Sequence, residues 1–107
     1  MLAFAIESSS QVAGAAIVDE NKVISECTLN RGLTHSEVLM TLVDNVFKMG
    51  NVDISDIDIF AVSKGPGSFT GLRIGIATTK GLAQAMDKPV VGVPTLDGLA
   101  YNIQYTP

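Results

Sequence analysis

Along this chain of 107 residues the apolar positions switch between a period of two and a helical period of about 3.6, and each switch marks an element. Leu2 to Glu7 is an apolar run that reads as a strand and ends in the polar set Glu7-Ser8-Ser9-Ser10. Gln11 to Val18 is rich in small and branched residues, Asp19-Glu20-Asn21 is a turn signal, and Lys22 to Leu29 resumes strand character. Joints this short predict an antiparallel meander. The helical period then takes over. Val38, Leu39, Leu42, Val46 and Met49 fall on one face, and Met40, Val43 and Phe47 form a second, adjacent apolar ridge. One sheet should not need so wide an arc, so either neighbouring helices or a partner must cover the ridge. Thr34-His35-Ser36-Glu37 has capping-box spacing at the helix start, and Gly50 suits its end.

Asn51 to Asp56 is a polar link, and Ile57 to Ser63 reads as a fourth strand. A glycine-rich turn then opens a second helix that ends near Met86. Pro89 to Val93 is a short fifth strand, and Pro94-Thr95 starts a third helix running to about Gln104. The order β-β-β-α-β-α-β-α predicts an α/β fold with a mixed five-stranded sheet. Its first three strands are antiparallel. The first, fourth and fifth run parallel through right-handed crossovers, and the helices pack on the sheet.

Composition narrows the class. An apolar fraction of 47% and a mean hydropathy of +0.35 are high for so small a domain, so a second lobe or a partner should cover some of that surface. No run reaches the roughly 18 apolar residues of a membrane span, and the start of the chain lacks the pattern of a signal peptide. A cytoplasmic protein with no membrane role is the simplest fit. The single cysteine, Cys27, excludes an internal disulfide and a cysteine metal cluster, and it reads as a small buried thiol. The net charge is −4, with seven Lys and Arg scattered and never in a run. Nucleic-acid binding by this chain alone would call for a basic patch, so any such role goes through another subunit.

Three segments carry candidate chemistry. Lys64-Gly65-Pro66-Gly67-Ser68-Phe69-Thr70-Gly71-Leu72-Arg73-Ile74-Gly75 joins a strand to a helix. Such a turn can aim unpaired backbone N–H groups and the positive end of the helix at an anion, which makes Gly65, Gly67, Ser68, Thr70, Gly71 and Arg73 candidate anion or phosphate contacts. It is neither a Walker A loop nor a dinucleotide fingerprint, and a tight turn that lets the helix pack closely is the competing reading. Glu7-Ser8-Ser9-Ser10 should lie near that loop, where a carboxylate and hydroxyls could hold a magnesium–phosphate group; on residue types alone a serine-rich hairpin turn is the better reading. In the second helix, Gly71, Gly75 and Thr78 or Thr79 recur a turn apart, Gly81 is also interior, and Arg73, Lys80 and Gln84 share a polar face. Each interior glycine costs about 1 kcal/mol relative to alanine, so close approach should compensate, either on the chain's own sheet or at a seam with another subunit. The candidate seam is Met40, Val43, Phe47, Gly71, Gly75 and Thr78. His35 is the only histidine, with Leu39 one turn on, so no His-x-x-x-His metal pair exists; no acid–base pair stands out either.

The opening strand to Ser10, His35-Ser36-Glu37, the 64–75 segment with Lys80-Gly81-Leu82-Ala83, and Val91-Gly92-Val93-Pro94-Thr95-Leu96 together resemble the first domain of the TsaB (YeaZ) family. The resemblance spans nearly the whole chain, and Gly-Pro-Gly-Ser-Phe-Thr-Gly-Leu-Arg is its most specific part. It implies a ribonuclease-H-like, actin-like ATPase fold, and a second lobe of similar fold beyond Pro107, so that 1–107 is the first lobe of a longer protein. It implies a non-catalytic scaffold subunit for threonylcarbamoyladenosine formation at position 37 of tRNA. The implied partners are the catalytic subunit TsaD and the ATPase TsaE, with a homodimer when TsaD is absent and tRNA reached only through the complex. No cofactor is implied for this lobe alone, and ATP or ADP only in the assembled complex. Family members often have Asp where this chain has Glu7. The rival reading is a nucleotide-dependent enzyme of the actin and sugar-kinase superfamily, a kinase or a glycoprotease-like peptidase.

Overall fold

The computed structural model describes residues 1–8, 12–30, 36–63 and 69–93. Within these, β1 (Ala3–Ser8), β2 (Val12–Val18) and β3 (Val23–Asn30) are followed by α1 (Ser36–Gly50), a 3-10 turn at Ile54–Asp56, β4 (Ile59–Ser63), α2 (Phe69–Met86) and β5 (Val90–Val93). The sheet has five strands in the order β3-β2-β1-β4-β5. β1–β2 and β2–β3 are antiparallel, while β1–β4 and β4–β5 are parallel, as the element order implied. The expected Thr34 cap, Ser9 and Ser10, the 64–68 turn and the expected third helix lie outside the described residues.

Strand alternation sorts the core into two layers. β1 turns Phe4 and Ile6 toward the helices, where they join Ile17, Leu39, Val46 and Phe60 in the main cluster. Ala3 and Ala5 point the other way and cluster with Val18, Ala61 and Val93. Phe4 anchors the helical side. Its ring lies 5.8 Å from Phe60 in an edge-on pair and 5.1 Å from Phe47 of α1. Burying each such large side chain contributes about 1.5–3 kcal/mol.

α1 corrects one expectation. Its buried arc centres on Leu39 and Val46, with Leu42 and Val43 on either side. At about 100° per residue, Met49 sits about 80° to one side of Leu39 and Met40 about 100° to the other. Met49, placed on the core face by the sequence pattern, is accordingly 59% exposed, whereas Val43 is 4% exposed. The buried arc is the one that meets the elements α1 packs against, β2, β3 and α2, and Met49 lies outside it.

Both helices end in the same hydrogen-bonded motif. The Asn51 N–H donates to the Lys48 carbonyl and the Val52 N–H to Phe47, both at 3.2 Å. After α2, the Asp87 N–H donates to Gln84 and the Lys88 N–H to Ala83. These 5→2 and 6→1 bonds form a Schellman cap, with the left-handed residue supplied by Asn51 (φ 52°) and Asp87 (φ 55°) rather than by glycine. Gly50 closes α1 for another reason: a Cβ there would stand 2.8 Å from Ser25 Oγ of β3. That hydroxyl donates to the Val46 carbonyl at 2.7 Å and ties α1 to the sheet edge.

Candidate functional site

The apolar ridge of α1 does not end at the helix. Met40, Val43 and Phe47 meet Val52 and Ile54 from the following link and Leu82 from α2, and together they line an open groove of about 380 Å³. The Schellman turn makes this possible, because it folds Val52 back over Phe47. Val43 and Phe47 serve two purposes. They help close the main core, Phe47 through its ring contact with Phe4, and they also form the groove floor. Met40 stays 45% exposed at the rim.

Two carboxylates edge the groove, Asp44 and Asp53, and among the described residues no Lys or Arg lines it. Asp44 pairs with Lys48 one turn on, 2.9 Å apart, with both side chains mostly in solvent. The hydrogen bond from the ammonium to Asp44 raises the Lys48 pKa above its ordinary value. Asp53 caps the 3-10 turn. One of its oxygens accepts from the Ser55 N–H at 2.9 Å and from the Ser55 hydroxyl at 2.8 Å, and these bonds hold its pKa below the usual carboxylate value.

The two interior glycines of α2 that the structure describes have opposite surroundings. Gly75 is buried against β1, where a Cβ would stand 3.0 Å from Ser8 Cβ and 3.6 Å from Ile6 Cγ2. Thr79, one turn on, is fully buried, and its hydroxyl donates to the Gly75 carbonyl at 2.7 Å. The close approach that compensates for Gly75 is therefore made by the chain's own sheet. Thr78 is half-buried, while Gly81 faces open space with nothing within 4 Å of a Cβ and shares the outer surface with Ala77 and Ala85. Gly71 lies in the first turn of α2.

At the other candidate site the strand period separates residues that stand together in sequence. Ser8 is 2% exposed under α2, and its Oγ is buried without a hydrogen-bond partner among the described residues. Glu7, half-buried, points to the opposite face of β1. The expected carboxylate-and-hydroxyl set therefore does not converge at these two positions. Ser63 is buried at the end of β4, and Arg73 is exposed on the second turn of α2. Thr70 lies at the start of α2, while Gly65, Gly67 and Ser68 lie outside the described residues. Among the described residues no three His, Cys, Asp or Glu side chains gather as metal ligands, and no helix is long and apolar enough to cross a membrane.

Sequence reasoning missed half of the groove's apolar lining and both of its carboxylates. Val52 and Ile54 sit in what reads as a polar link, and Leu82 is one apolar residue among many in α2. The available signal was the pairing of Phe47 with Val52, the hydrophobic contact that accompanies a Schellman motif.

A family model described as TsaD: tRNA N6-adenosine threonylcarbamoyltransferase matches residues 22–107. The tRNA threonylcarbamoyladenosine biosynthesis protein TsaB of Bacillus subtilis (strain 168) is 35% identical over 95% of this chain and 44% of its own length. The TsaB of Escherichia coli (strain K12) is 31% identical over 94% of this chain and 43% of its own. The chain belongs to this family, in its TsaB/YeaZ group. The solved structure of YeaZ from Pseudomonas aeruginosa superposes with a TM-score of 0.80 at 29% identity, over 89% of this chain and 44% of that one. A tRNA N6-adenosine threonylcarbamoyltransferase from Kosmotoga olearia is 32% identical over 94% of this chain and 35% of its own length. The chain thus spans less than half the length of the relatives it matches.

Proposed function

We propose that this chain acts as a non-catalytic partner subunit in forming threonylcarbamoyladenosine on tRNA, pairing with a TsaD-type transferase through the outer faces of α1 and α2. The observation that carries this reading is the apolar groove running from Met40 to Leu82. An open apolar groove between helices is a place for another protein's helix. The names of the relatives support the division of labour: the TsaB proteins are called biosynthesis proteins, while the TsaD proteins are called transferases. On this reading tRNA is reached through the complex, a TsaE-type ATPase joins it, and any nucleotide binds only once the assembly is complete. A second copy of the chain takes the transferase's place when the transferase is absent.

The test is sedimentation of the full-length protein with a TsaD-type transferase from the same organism. A one-to-one complex is expected, weakened at least ten-fold by Met40→Arg or Leu82→Arg, with the fold unchanged by circular dichroism. A transferase that sediments alone at every concentration would overturn the proposal.

A further inference from the structure

From the groove's charge we infer that its occupant is an amphipathic helix carrying Lys or Arg beside its apolar anchors. This rests on the partner-subunit reading and names the chemistry of the partner's docking element. The groove offers apolar side chains on its floor and two carboxylates, Asp44 and Asp53, at its edge, with no lining cation among the described residues. An anionic helix would bring like charges together, whereas a cationic one would meet both carboxylates.

The hydrogen bonds from Ser55 keep Asp53 ionised well into the acid range. Asp44 has only Lys48 across an exposed pair, and such pairs contribute little, so a cation from the partner can replace Lys48 at small cost. The floor suits an inserted helix as well. Its volume of about 380 Å³ is at the small end of the range for ligand pockets and accommodates a few side chains rather than a whole cofactor. Met40, unbranched and polarizable, can adjust to the shape of the incoming anchor.

The probe is a pair of short helical peptides with the same apolar face, leucines at i, i+4 and i+7. One is flanked by lysines and the other by glutamates. Fluorescence anisotropy with the full-length protein should give about ten-fold tighter binding of the lysine peptide at low salt, with the gap narrowing as salt rises. Asp44→Asn with Asp53→Asn should remove that gap. Asparagine still caps a helix, so the turn at 54–56 is retained. Leu82→Arg should abolish binding of both peptides.

Equal binding of the two peptides, or a gap that survives the double Asn variant, would overturn the inference even if the transferase still pairs. A lysine preference without transferase pairing would support the groove's chemistry and overturn the partner reading.

Discussion

The inner and outer faces of α2 carry the same kind of residue for opposite reasons. On the inner face, Gly75 allows the helix to approach β1 until Ser8 and Ile6 fill the space a side chain would need. On the outer face, a Cβ at Gly81 would meet nothing within 4 Å among the described residues. Each glycine weakens the helix by about 1 kcal/mol, but only Gly75 recovers that cost within this chain. A glycine in a helix is therefore not by itself a sign of a seam; its meaning depends on which side of the helix it occupies. α1 makes the same point with neighbours in sequence. Leu39 is fully buried, while Met40 lies on the groove rim.

The largest contrast should be at that pair. Leu39→Ala is expected to cost about 3 kcal/mol or more in urea denaturation, through lost burial and the cavity left behind. Met40→Ala should cost less than about 0.5 kcal/mol, as for a surface position. Equal losses would show that the groove rim is closed over in solution. Next comes the glycine pair. Gly75→Val should destabilise by about 2 kcal/mol, because even its Cβ would stand 3.0 Å from Ser8 Cβ and 3.6 Å from Ile6 Cγ2, which leaves its methyls no room. Gly81→Ala should stabilise by about 1 kcal/mol. If Gly75 belonged to the seam with a partner, a bulky residue at position 75 would weaken pairing more than folding. The contacts of Gly75 predict the reverse order, and thermal unfolding of the variant beside its pairing affinity decides between them.

Ser8→Ala should have a smaller effect, neutral to about 1 kcal/mol stabilising, since it removes a buried hydroxyl that has no hydrogen-bond partner among the described residues. A clear loss of stability would mean that Ser8 has a partner in solution, and with it that the end of β1 is a working polar site. The smallest effect is that of pH. The Asp53 pKa is depressed in the folded chain by its Ser55 bonds. The stability it adds is therefore present above the ordinary value of 3.8 and is lost as pH falls through the lower folded value. Asp53→Asn should flatten that acid limb of the stability profile; an unchanged limb would show that the cap does not hold in solution.

Much of the fold was legible in the residues. Short apolar runs bounded by polar turns, such as Asp19-Glu20-Asn21, marked five strands within one or two residues of their ends, because strand patterning and turn chemistry are local. The TsaB/YeaZ resemblance was also legible, since it rests on a contiguous motif. The groove was half legible: the ridge of Met40, Val43 and Phe47 could be seen, but not its far wall. Val52 joins it through a Schellman turn, and Leu82 through the packing of α2 beside α1.

Sequence alone determined the order of elements, the alternation that splits β1 into a Phe4–Ile6 side and an Ala3–Ala5 side, and the family. Only the tertiary structure decided that Ser8 is buried under α2, that Gly75 belongs to the sheet and Gly81 to the outside, and that Asp44 and Asp53 edge a common groove. The physical reason is range. Period and turn chemistry act between neighbours in the chain, whereas the rotation of a helix on its sheet is set by distant side chains, here Phe4, Ile6 and Ser25, that compete for the space beneath it.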